Sequence, residues 1–183
     1  MSATATPAQV LDFWFVQTRP AQWWQADPAF DEQLRIRFGE CLLQAARAEL
    51  WAWRADARGR LAEIIVLDQF SRNIHRGTPQ AFAQDGIALV LAQEAVAAGL
   101  PQALEPVQAG FLLMPYMHSE SPRVHAEAER LFARFASAEN LDFERRHKAI
   151  IDRFGRYPHR NAILGRESTP EELEFLRQPG SSF

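Results

Sequence analysis

The chain has 183 residues, a length that one hydrophobic core can serve. Hydrophobic residues make up 47% and charged residues 23%, which argues against disorder; the net charge of −3 argues against a general nucleic-acid binder, because neutralising phosphates takes a basic excess. With Cys41 as the only cysteine, an intramolecular disulfide and a four-cysteine zinc site are excluded.

The chain reads as helices throughout. Thr6-Pro7-Ala8-Gln9 combines an N-cap, a first-turn proline and a capping-box glutamine. Behind it Val10, Leu11, Phe13, Trp14 and Phe15 make a strongly apolar helix. Asp27-Pro28 repeats the start, with Phe30, Leu34, Phe38, Cys41 and Leu42 at helical spacing. A third helix carries Leu61, Ile64, Ile65, Val66 and Leu67. Thr78-Pro79 opens another element. Asp85 is expected to cap the next helix, which carries Ile87, Leu89, Val90, Leu91 and Val96 and ends at Gly99. Helices around 107–117, 123–135 and 143–154 follow, then a final capping box at Thr169-Pro170-Glu171-Glu172. No stretch alternates with period 2, and no Asn-Gly or Asp-Gly hairpin signal occurs. The expected fold is therefore all-α, one domain over 1–183. Trp23, Trp24, Trp51 and Trp53 read as core, with anchors for a partner as the alternative, and the last residue, Phe183, is expected to dock back on the body.

The opening residues lack a basic stretch followed by an apolar run, so no signal peptide is expected. The longest apolar runs, 87–92 and 110–114, fall short of the roughly 18 residues that cross a bilayer. A soluble, cytoplasmic protein with no membrane or nucleic-acid partner is the expectation.

Three segments break the pattern of apolar inside and polar outside. In the first, Leu61, Ile64, Ile65, Asp68 and Arg72 lie on one helical face, so a charged pair runs out of an apolar stripe. Asp68 and Arg72 are spaced to pair, and Gln69 and Asn73 repeat the spacing alongside. Such a group is either a buried structural network or a pocket wall. The second, Met114-Pro115-Tyr116-Met117-His118-Ser119-Glu120, contains the His-x-Glu of zinc deaminases without the Pro-Cys-x-x-Cys that chemistry needs. Its bland reading is a helix terminus capped by Ser119 or by Ser121 ahead of Pro122. The third is 153–161 (RFGRYPHRN), with Leu164-Gly165-Arg166 after it. Gly155 and Pro158 interrupt the helix there and let several Arg forks turn toward one point, where acceptors such as Asp68 and Glu120 must match them; the alternative is a solvated face of exposed arginines.

His147 shares a face with Phe143, Ile150, Ile151 and Phe154 and reads as a satisfied core histidine. His75 and His125 read as surface residues. No Gly-x-Ser-x-Gly elbow, His-Glu-x-x-His, EF-hand, Walker loop or dinucleotide fingerprint is present. No cofactor or metal is expected.

Together, 67–73 (LDQFSRN), Arg76-Gly77-Thr78 before Ala81-Phe82, Pro115 with His118-Ser119-Glu120, 153–161, Leu164-Gly165-Arg166 with Ser168-Thr169, and the ending 180–183 resemble the DUF924 family, a bacterial family of unknown function. Val10-Leu11-Asp12-Phe13-Trp14-Phe15 and Trp23-Trp24 fit it too. Ser71 stands where many members have Pro, and Tyr157 where they have Phe. The resemblance implies an all-helical, tetratricopeptide-like superhelix and supplies no reaction.

The expected site comprises Asp68, Gln69, Arg72, Asn73, His118, Glu120, Arg153, Arg156, His159 and Arg160. Its excess of Arg points to a small anionic ligand, a phosphate or a carboxylate. His118, Glu120 and His159 are the candidate catalytic residues, with His118 or His159 carrying a proton. The alternative is a tetratricopeptide-like module that holds a protein or peptide partner in a groove.

Overall fold

The computed structural model describes residues 5–182; the expectation for Phe183 lies outside them. Capping chemistry starts the first three helices. In α1 (Pro7–Asp12) the Thr6 hydroxyl accepts from the Gln9 amide, and Gln9 accepts from the Thr6 amide. A five-residue π turn, Phe13–Gln17, extends it and is closed by Thr18, whose amide and hydroxyl both donate to the Phe13 carbonyl. Asp27 caps α2 (Pro28–Ala46) through the amides of Ala29 and Phe30. Asp56 caps α3 (Ala57–Ile65) through the amide of Gly59.

A second π turn, Val66–Phe70, joins α3 without a break to α4 (Ser71–Ile74). Then come α5 (Asp85–Ala97), α6 (Pro106–Met117), α7 (Pro122–Phe135), α8 (Ala138–Phe154) and α9 (Pro170–Phe175). Short 3-10 turns fill several connections, including Pro79–Phe82 and Pro158–Arg160. Left-handed Gly99 and Gly155 end α5 and α8. No strand occurs among the described residues. No helix among them is long and apolar enough to cross a membrane.

The core forms around aromatic rings from distant segments. Phe13 and Trp14 pack against Phe30, Phe38, Phe70 and Phe111 at centroid distances of 5.1–6.4 Å. Burying a Phe side chain contributes about 1.5–3 kcal/mol, so this cluster anchors α1, α2 and α6 on the α3–α4 rod. α6 packs on α7, and α7 on α8. A smaller cluster of Ile150, Ile151 and Tyr157, with Phe154 and Phe175, seats α9 against the end of α8.

The tryptophans divide. Trp14 is fully buried and Trp23 and Trp53 are half-buried, but Trp24 and Trp51 are 60% and 66% exposed. Core burial therefore does not describe the last two. His125 also departs from expectation. It is completely buried, with Nε2 2.8 Å from the Ser119 carbonyl and Nδ1 2.7 Å from Glu144 Oε1. It lies on the stripe of Ala128, Leu131 and Phe132 that α7 turns inward, and that spacing carried the signal.

Candidate functional site

The site grows out of the second π turn. All five of its residues are buried. Where the helix widens and then returns to α pitch, side chains take up backbone carbonyls: Arg72 Nη1 donates to the Asp68 carbonyl and Asn73 Nδ2 to that of Gln69, both at 2.9 Å. The spacing-based pair is present, with Arg72 Nη1 at 3.1 Å from Asp68 Oδ1.

The Asp68 carboxylate, fully buried, is satisfied on both oxygens. Oδ1 accepts from His118 Nδ1 at 2.7 Å as well as from Arg72, and Oδ2 from Gln69 Nε2 at 2.6 Å. Burial opposes its charge, yet Arg72 and then His118 overcome that and hold the carboxyl well below the usual range. Because the carboxylate accepts from Nδ1, that nitrogen carries the proton and Nε2 keeps the lone pair. Burial first, and then the nearby Arg72, push the His118 pKa down from its ordinary value. His118 is thus a neutral imidazole with an oriented basic nitrogen at neutral pH.

Asp85 joins this group across the fold. It does not cap α5, whose N-cap is Gln84. Its carboxylate accepts both Arg72 Nη groups, at 2.9 and 3.0 Å, and Arg160 Nη1 at 3.3 Å. Its partners are 13 and 75 residues away, so no local pattern identified it.

Arg160 is buried between two rings, its guanidinium 4.7 Å from the centre of Phe82 and 4.5 Å from that of Tyr157. Its bond to Asp85 is long, and its Nε has no partner among the described residues. Burial, followed by Arg72, lowers its pKa. Tyr157 is itself buried and donates its hydroxyl to the Met117 carbonyl. Behind it stands the His125–Glu144 pair, where burial raises the Glu144 pKa.

Part of this group walls a hollow of about 400 Å³. Gln69, Arg72, Asn73, His118, His159 and Arg160 line it, as do Trp23, Trp24, Met114, Met117, Phe143 and His147. His147 donates from Nδ1 to the Phe143 carbonyl at 2.8 Å, as a core histidine should, but it also faces this space. Burial lowers His147 to about 3 and His159 to about 4. A second hollow of about 350 Å³ lies against the same Phe82, His118 and Arg160 and adds Asp85, Ser119 and Glu120.

The third sequence segment splits. Arg160 and His159 reach the hollow, whereas Arg153 and Arg156 do not line it. Arg153 pairs with Glu171, and Arg156 forks onto both oxygens of Glu172 at 2.7 and 2.8 Å. Gly155 turns the chain between them, and the Arg156 fork holds the start of α9 down. Glu120 lines the second hollow and takes both Nη groups of Arg166 and the Tyr157 amide. Burial opposes its charge, but the Arg166 bonds and the Tyr157 amide hold its pKa below the ordinary value. Ser121 is the N-cap of α7 without a side-chain bond. Asp85 and Arg166 were absent from the expected site. No group of three or more His, Cys, Asp or Glu residues suited to a metal ion occurs among the described residues.

Residues 10–180 match DUF924, bacterial protein of unknown function. The structure is similar to that of ATU0120 from Agrobacterium tumefaciens, a protein of unknown function, at 38% identity and a TM-score of 0.88, covering 93% of this chain and 96% of that one. No curated protein matches the chain. A match over nearly the whole length, with a solved relative of this identity, fixes the assignment: the chain belongs to the DUF924 family.

Proposed function

We propose that the hollow binds a small anionic ligand, a carboxylate or a phosphate, and that the Asp68–His118 dyad performs acid/base chemistry on it. The observation that carries this reading is Arg160: a buried guanidinium in the wall of a hollow, with one long bond and a donor to spare. Buried donors gain most from an acceptor when they lack one. The dyad adds a neutral base with its tautomer fixed by a charged partner, the arrangement a proton-transfer step requires. His118 takes the proton, Asp68 positions it, and Arg72 and Arg160 stabilise negative charge. His159 is the second candidate proton carrier and Glu120 a charged group beside the neighbouring hollow. A thermal-stability screen of the full chain against phosphorylated metabolites and organic acids tests the reading. A stabilising anion whose effect disappears in Arg160→Ala supports it; the absence of any anion-dependent shift rejects it.

A second reading is a tetratricopeptide-like module that binds a peptide or partner helix. The exposed Trp24 and Trp51 favour it, since large solvent-facing aromatics are typical anchors. Recovery of a stoichiometric partner by wild type, and its loss with Trp51→Ala, supports that reading. The chain's single cysteine, buried Cys41, is consistent with a reducing, cytoplasmic compartment.

A further inference from the structure

We infer that the site takes a monoanionic carboxylate bearing an apolar or aromatic tail, with the carboxylate at Arg160 and the tail running along α6 toward Trp23 and Trp24. This rests on the anion-site reading above and narrows it to a substrate class.

The charge count selects a monoanion. Arg72 and Arg160 face Asp68 and Asp85, so the buried group is already balanced while its histidines are neutral. A dianion would leave two uncompensated charges in a half-closed space, which is costly. A single carboxylate adds one charge beside the Arg160 guanidinium, whose bond to Asp85 is long.

The tail follows from the geometry of α6. Phe111, Met114 and His118 are spaced i, i+3 and i+7 on one face, so they span roughly 10 Å of helix axis. Trp23 and Trp24 sit on Phe111, at centroid distances of 5.0 and 5.9 Å, with the Trp24 ring nearly parallel to it. The tryptophans therefore mark the level of Phe111 and the dyad marks the other end. Met114, between them, touches the polar group through Gln69 Nε2 at 3.4 Å from its sulfur. Methionine adapts readily to different apolar shapes. Trp24 and Phe143, both lining the hollow, remain 60% and 40% exposed. A tail laid across them removes that apolar surface from water. A bare phosphate or a short acid uses none of it.

The test is calorimetric titration of the full chain with octanoate, 3-phenylpropionate, acetate, inorganic phosphate and uncharged octanamide. The tail-bearing acids are expected to bind at least about tenfold tighter than acetate or phosphate. Octanamide should bind at least about tenfold more weakly than octanoate, and Trp24→Ala should narrow the octanoate-to-acetate ratio. Acetate or phosphate binding as tightly as octanoate overturns the tail and leaves the anion site standing. Octanamide matching octanoate overturns the anion site itself. Binding of none of these compounds overturns both.

Discussion

Asp68 and His118 are 50 residues apart in sequence, yet Oδ1 of one lies 2.7 Å from Nδ1 of the other. One comes from the wide turn after α3, the other from the residue that ends α6. The pair therefore fastens two helices as well as forming the dyad. Removing the carboxylate leaves the buried side of Arg72 with a missing counter-charge. Asp68→Ala is expected to cost about 3–5 kcal/mol in urea denaturation. Asp68→Asn, which keeps the shape and part of the bonding, should cost less.

Acid should unfold the protein through its buried imidazoles. His147 and His159 fall from 6.5 in the unfolded chain to about 3 and about 4 in the folded one, chiefly by burial. Between those limits the unfolded chain binds more protons, so stability falls as pH drops below 6.5 and is flat in these groups above it. Asp68, held below the ordinary carboxylate range, keeps its charge through most of this window. Each such histidine contributes up to about 1.4 kcal/mol per pH unit. His159→Gln is expected to flatten the pH profile of denaturation midpoints; an unchanged slope contradicts the burial.

Two arginines four residues apart should behave differently. Arg156 clamps Glu172 at the start of α9, so Arg156→Ala should speed proteolytic removal of the C-terminal segment and leave an anion's thermal shift intact. Arg160→Ala should remove that shift. Limited proteolysis and thermal-shift titration of both variants separate the roles, and equal loss of the shift in both contradicts the division.

Gly59 is fixed by backbone contact. A Cβ there would stand 1.8 Å from the Trp53 carbonyl oxygen, which belongs to backbone and cannot swing aside. Gly59→Ala, normally favourable inside a helix, is expected to destabilise by about 1–3 kcal/mol or more. Chemical denaturation measures it.

Local chemistry was legible in the sequence where one turn of chain contained the whole interaction. The Thr6–Gln9 and Thr169–Glu172 capping boxes, the Asp27 cap and the Gly99 terminus are all present. So is the Asp68–Arg72 pair. Groups whose meaning depends on tertiary partners were not. Asp85 has every mark of a cap until Arg72 and Arg160 arrive from elsewhere. Arg153, Arg156 and Arg160 share a segment, and only the turn at Gly155 and the position of α9 sort them. His125 was readable: its spacing to Ala128 and Phe132 outranks its polarity.

The wide turn at Val66–Phe70 sets the angular phase of everything after it. One extra residue per turn rotates the following helix by about 100° relative to an unbroken α ladder. Winding these same residues as a regular α ladder, with none removed, would swing Arg72 and Asn73 to another side of the rod, away from Asp85 and the hollow. The irregularity thus works as a dial whose single setting brings the guanidinium to its partners.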